Sequence, residues 1–139
     1  MSDAASAWEA GSPLDTAVSR PRSGVVLLWA AGEVDSITAS RLDDGLTSAF
    51  DAALGEPAGT VVVDLSGVTF LASSGLAVLV RGARRAAERA QRLHVVVASR
   101  AVARPLQVTG TDVLVDTHSD VGSALDAAGA VNVAPHPDE

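Results

Sequence analysis

The sequence predicts an α/β fold: a mixed, mainly parallel sheet of about five strands with about four helices. Three observations lead there. Short runs rich in valine and leucine recur along the chain (VVLLWAA, TVVVD, LHVVVA), and they are continuous rather than alternating. Such runs suit strands covered on both faces. Between them lie longer segments whose apolar residues repeat at helical spacing. Strands that alternate with helices imply parallel neighbours joined by right-handed crossovers.

Residues 14–19 alternate weakly and form a first edge strand, which Pro21 ends. Residues 25–31 are the second strand, joined tightly to the first and so antiparallel to it, and Gly32 closes it in a turn. Residues 38–54 form a helix, because Leu42, Leu46, Ala49, Phe50 and Ala53 share one face. Ser36 or Thr38 can cap it, and Gly55 followed by Pro57 stops it. Residues 60–64 are the third strand, broken by Asp64, Ser66 and Gly67 into a polar loop. Residues 73–91 form the second helix, with Leu76, Leu79, Val80, Ala83, Ala87 and Ala90 as its apolar stripe. Residues 93–98 are a buried strand. Residues 100–108 are a shorter helix in which Pro105 removes a backbone donor. Residues 113–115 give a last short strand, and Ser119 or Asp120 caps a final helix carrying Val121, Ala124, Leu125 and Ala128. Residues 1–13 and 130–139 are expected to be disordered tails around one domain at 14–129. Trp8 is the one large side chain that stands out in the first tail.

Bulk properties exclude several function classes. The chain has 139 residues, 47% of them apolar, which is enough for one domain with a sizeable core. A net charge of −7 disfavours nonspecific nucleic-acid binding, which needs a basic footprint, and favours a partner with a basic face. No apolar run approaches the roughly 20 residues of a membrane helix. The expected location is therefore the cytoplasm, with neither membrane nor nucleic acid as a partner. With no cysteine there are no disulfides, thiolate metal sites or thiol catalysis. The histidines at 94, 118 and 136 lack metal-site spacing, and neither a Walker-type phosphate loop nor a nucleophile elbow is present. No metal, cofactor or catalytic residue is expected.

The segment from Thr60 to Val80, TVVVDLSGVTFLASSGLAVLV, carries the most information. It is a buried strand, a polar break and a serine pair at the mouth of a helix. It resembles the core motif of the STAS domain of anti-sigma factor antagonists, the sporulation and general-stress type, in which Asp-Ser-Ser/Thr-Gly-Leu follows the third strand. The matching residues here are Ala72, Ser73, Ser74, Gly75 and Leu76, so alanine stands where the family has aspartate. Gly32-Glu33-Val34-Asp35 is similar to the family's Gly-Glu-Leu-Asp turn. The resemblance spans roughly residues 14–128 and implies a STAS-like fold.

It also implies a function. The first hydroxyl, Ser73 (alternatively Ser74), is the expected phosphorylation site, and Glu33, Asp35, Ser73, Ser74, Gly75 and Leu76 are the expected partner-binding residues. The implied partner is an anti-sigma factor with a kinase-type ATP-binding fold, which keeps the nucleotide for itself. On the residues alone, Ser73 or Ser74 is an ordinary helix cap, and Asp35 is as well suited to capping as to contact. The arginines at 81, 84, 85, 89 and 92 form either a solvated face or a surface for an acidic partner or phosphate. Two other functions compete: a STAS module of a larger signalling assembly without sigma-factor competition, and a serine hydrolase using Ser73 with His94 or His118.

Overall fold

The computed structural model describes residues 14–55 and 59–133, with side chains described up to residue 129. Five strands form one sheet in the order β1-β2-β3-β4-β5. They are β1 (Asp15–Arg22), β2 (Val25–Val34), β3 (Thr60–Leu71), β4 (His94–Val96) and β5 (Asp116–His118). β1 runs antiparallel to β2, and every other neighbouring pair is parallel. The helices are α1 (Ala39–Leu54), α2 (Ser73–Glu88), α3 (Arg100–Thr109), the short α4 (Thr111–Leu114) and α5 (Val121–Val133).

Strand order follows chain order, so crossovers of one hand all fall on the same face. The main core accordingly lies between that face and α1, α2 and α3, where Leu28, Val61, Val63 and Val95 meet Leu42, Leu46, Leu79 and Val102. The second face is left to α5. There Val25, Val62 and Val96 pack against Ala124 and Ala128. The predicted stripe of α1 is buried throughout. On α2 the buried stripe is Gly75, Leu76, Val78, Leu79, Gly82, Ala83 and Ala86, whereas Ala87 is exposed; the helix ends at Glu88 rather than at 91, and Ala90 lies exposed beyond it.

The structure corrects several expected boundaries. β3 does not end at Asp64 but continues to Leu71. Register shifts against β2 between Trp29 and Ala31 and between Gly32 and Glu33 absorb the polar residues as bulges. Inside the first bulge the Asp64 carboxylate accepts the Ser66 N–H at 2.9 Å. β1 runs through Pro21 to Arg22, with the proline at an irregularity between Ser19 and Arg22 on the sheet edge. The expected strand at 113–115 is not one. Val113 and Leu114 belong to α4, and β5 is the polar triplet Asp116–His118, set by its register with β4. α5 passes the expected boundary at 129 and reaches Val133. The expected tail at 1–13 lies outside the described residues.

Candidate functional site

Two chain segments leave the sheet side by side at the C-terminal ends of β2 and β3. Val34 is in register with Leu71, and the Ala72 N–H donates to the Val34 carbonyl at 2.8 Å. The turn after β2 and the start of α2 are therefore about one strand spacing apart, ~5 Å. This brings Glu33, Asp35 and Ser73 to one rim, as the motifs imply.

The turn is built around Asp35. Gly32 takes a φ of +121°, which favours glycine, as the strand begins to turn. One Asp35 carboxylate oxygen then accepts the N–H groups of Ile37 at 2.9 Å and Thr38 at 2.8 Å. The Asp35 N–H donates to the Thr38 hydroxyl at 2.9 Å, and that hydroxyl reaches the Glu33 carbonyl at 2.7 Å. The Thr38 and Ile37 amides hold the Asp35 carboxyl below the usual carboxylate range. Of the two capping roles expected for Ser36 or Thr38, neither is made by a side chain on the helix amides. The Asp35 carboxylate instead holds the Ile37 and Thr38 amides of the turn ahead of the helix, and the Asp35 carbonyl accepts the Ala39 N–H at 2.9 Å.

The entrance to α2 is the opposite case. Ala72, in extended conformation with φ −82° and ψ 171°, is the N-cap and brings no side-chain hydrogen bond. Ser73 is the first helical residue, so it does not cap, contrary to the bland expectation. Gly75 and Leu76 donate to the Ala72 carbonyl at 2.9 and 3.1 Å, and the first turn contains no acidic residue. The positive end of the helix dipole thus lies at an exposed serine with no carboxylate beside it in that turn. The Ser74 hydroxyl is buried without a hydrogen-bond partner.

Gly75 and Leu76, expected at the partner-binding face, are buried. A Cβ on Gly75 would stand 2.6 Å from both Leu71 Cδ1 and Val34 Cγ1, so the missing side chain lets α2 close onto the strand ends. The two residues position the serines and do not present side chains outward. Ile37, which the motif comparison passed over, is 81% exposed two residues beyond Asp35. A β-branched residue in a polar turn is the sequence signal for it.

The hydrolase alternative fails on distance. His94 is in register with Val62, and His118 with Val96, which is level with Asp64. Ser73 lies past the far end of β3, roughly 20–30 Å away at strand rise, well outside hydrogen-bond reach. The histidines meet each other instead, His94 Nδ1 lying 3.0 Å from His118 Nε2. Among the described residues no group of three or more histidine or acidic side chains could hold a metal ion.

Most of the arginines serve the fold. Arg81 pairs with Asp43 at 3.4 Å, and Arg85 lies over the Phe50 ring at 4.8 Å. Arg89 donates to the Ala53 and Gly59 carbonyls, and Arg92 reaches Asp116 at 2.9 Å. They join α2 to α1 and to β5, while Arg81, Arg84 and Arg92 stay exposed, as the solvated-face reading expects.

The family model described as "Mlab, STAS domain" matches residues 17–116. The chain belongs to the STAS domain family. Among solved structures, this STAS domain is similar to an anti-sigma factor antagonist from Mycobacterium paratuberculosis. The identity is 29%, over 84% of this chain and 94% of that one, with a TM-score of 0.73. SpoIIAA in its unphosphorylated form is 16% identical over 84% of this chain and 99% of its own, with a TM-score of 0.62. The phosphorylated Bacillus SpoIIAA is 18% identical over 81% and 98%, with a TM-score of 0.60, and these two likenesses speak to fold alone. No curated protein matches the sequence.

Proposed function

We propose that this STAS domain is an anti-sigma factor antagonist that binds an anti-sigma factor with a kinase-type ATP-binding fold and is switched off by phosphorylation of Ser73. The observation that carries this reading is an exposed serine at the first position of a helix whose N-terminus has neither a capping side chain nor a first-turn acid. A phosphate adds about −1.5 to −2 charges and three acceptor oxygens. Free amides and the helix dipole accommodate that group within the fold. A partner surface seated on the same rim would have to desolvate it, so binding is lost while folding is kept.

Ser73 is preferred to Ser74, whose hydroxyl is buried. Glu33 is exposed and Asp35 half-exposed on the same rim, and the net charge of −7 suits a basic partner face. Ile37 supplies an apolar anchor among these polar groups. The likeness to an anti-sigma factor antagonist at 29% identity supports the reading, as does a relative of the same fold known in unphosphorylated and phosphorylated forms. A cytoplasmic location goes with it, and among the described residues no helix is long and apolar enough to cross a membrane.

Titration of Ser73→Ala and Ser73→Glu against the anti-sigma factor tests the switch. Both variants should fold, with only the alanine form binding. Equal affinities would overturn it.

A further inference from the structure

The second face of the sheet is covered only in part. α5 packs on β3, β4, β5 and the start of β2. Beyond it β2 continues on that face with Trp29, Ala31 and Glu33, and β3 sets Asp64, Gly67 and Phe70 level with them in turn. On β1, Ala17 stands level with Trp29 and Asp15 with Ala31. Trp29 and Phe70 are exposed, as are Asp15 and Glu33. The middle is low, because a Cβ on Gly67 would come within 2.9 Å of the Ala31 Cβ. The uncovered face is thus a shallow floor with an aromatic ring at each end and a carboxylate in every row.

Asp64 is the unusual member. It is only 6% exposed, one of its oxygens accepts the Ser66 N–H at 2.9 Å, and the other accepts nothing from the described residues. A carboxylate buried so deeply is ordinarily paired with a cation. Among the described residues none of Asp15, Glu33 and Asp64 forms an ion pair, whereas Asp43, Asp116 and Asp126 each meet an arginine. We propose that this face receives an arginine side chain from a partner protein. Its guanidinium lies over Ala31 and Gly67, between the Trp29 and Phe70 rings, with the Asp15, Glu33 and Asp64 carboxylates around it. The spacing suits this arrangement. Ala31 is two residues from each end row, about 7 Å at strand rise, and a ring that leans inward comes within the roughly 6 Å of cation–π contact. A guanidinium is flat, stacks on rings and pairs with carboxylates through its edge, whereas an ammonium is a strongly hydrated point charge. Two copies of a chain with net charge −7 would set like fields together, so the arginine comes from a different protein. Glu33 joins this face to the rim beside Ser73, yet the face acts without any phosphate.

Heteronuclear NMR of the intact chain, titrated with a hexa-arginine peptide, tests the proposal. The Trp29 indole N–H and the amides of Ala31, Glu33, Gly67 and Phe70 should shift first. Hexa-arginine should bind several-fold more tightly than hexa-lysine, and neutral hexa-citrulline should not bind. Trp29→Ser, Phe70→Ser and Glu33→Gln should each weaken binding several-fold, while Trp29→Phe keeps most of it. Asp51→Asn removes the same charge from α1, on the other side of the sheet, and should leave the affinity unchanged. Circular dichroism checks that each variant folds, and Phe70→Ser carries the test if Trp29→Ser does not fold. Equal weakening by Glu33→Gln and Asp51→Asn overturns the proposal, since it would assign binding to net charge alone. Equal affinity for hexa-lysine, or no shift on this face, overturns it as well.

Discussion

Asp35 and His94 each take their state from a few neighbouring atoms, in opposite senses. Asp35 is surrounded by amide donors that favour its charge. His94 is 1% exposed, and burial pushes its pKa below the ordinary histidine value. Asp116 favours its charged form, and His118 and Arg92 oppose it. Its Nδ1 shares one proton with His118 Nε2, and its own Nε2 is buried without a partner. A second proton would set two donors against each other in an apolar site. The unfolded chain therefore binds more protons than the folded one once pH falls below the ordinary histidine pKa. Stability contributed by neutral His94 is present above that pH and declines as pH falls toward the lowered folded value. Denaturant unfolding between about pH 7.5 and about pH 5.5 should show stability decreasing, and His94→Gln should flatten the slope. An unchanged slope in the variant would place the proton uptake elsewhere.

At the scale of elements, α1 and α2 differ in how they start, and the difference sits in one side chain. The turn into α1 has Asp35 for the Ile37 and Thr38 amides, whereas α2 begins directly at Ala72, among the poorest residues for an N-cap. Ala72→Asp would supply the missing acceptor with the backbone already in the extended conformation a cap requires. We expect the variant to be more stable by about 1 kcal/mol, read as a higher melting temperature. A lower one would mean that the Ser74 and Gly75 amides, the ones an N-cap side chain reaches, gain nothing from the carboxylate. The same comparison shows why some elements were legible and others not. α1 announced itself because five apolar residues at helical spacing all reach the core. β3 looked shorter than it is because Asp64, Ser66 and Gly67 resemble a loop, and bulges are fixed by the neighbouring strand rather than by local composition. Val113, Leu114 and Val115 resembled a strand more than Asp116–His118 does, yet pairing with β4 decides the matter. The site was legible as motifs, while the burial of Gly75 and the turn-holding task of Asp35 depend on how β2 and β3 end together.

For the whole molecule, the two sides of the sheet differ in how firmly they are held. One carries a large contiguous core into which α1, α2 and α3 all send side chains. The other depends on α5, which holds a small cluster in which, among the described residues, its own fully buried side chains are two alanines, with Val121 and Leu125 only partly covered. Burying a full valine or leucine side chain contributes roughly 1.5–3 kcal/mol, and an alanine offers far less surface. The polar contacts that tie α5 down are exposed, as in the Arg22–Asp126 pair at 2.9 Å, and exposed pairs contribute little. α5 should therefore open as a separate unit at lower free energy than the rest of the sheet. Native-state hydrogen exchange would show its amides exchanging through a partial opening, while those of β2, β3 and α1 exchange only with global unfolding. Ala124→Asp, which sets a carboxylate against Val25, Val62 and Val96, should speed exchange in α5 and leave the α1 and α2 amides nearly as protected as before. Equal loss of protection across all these elements would mean that the two faces unfold as one.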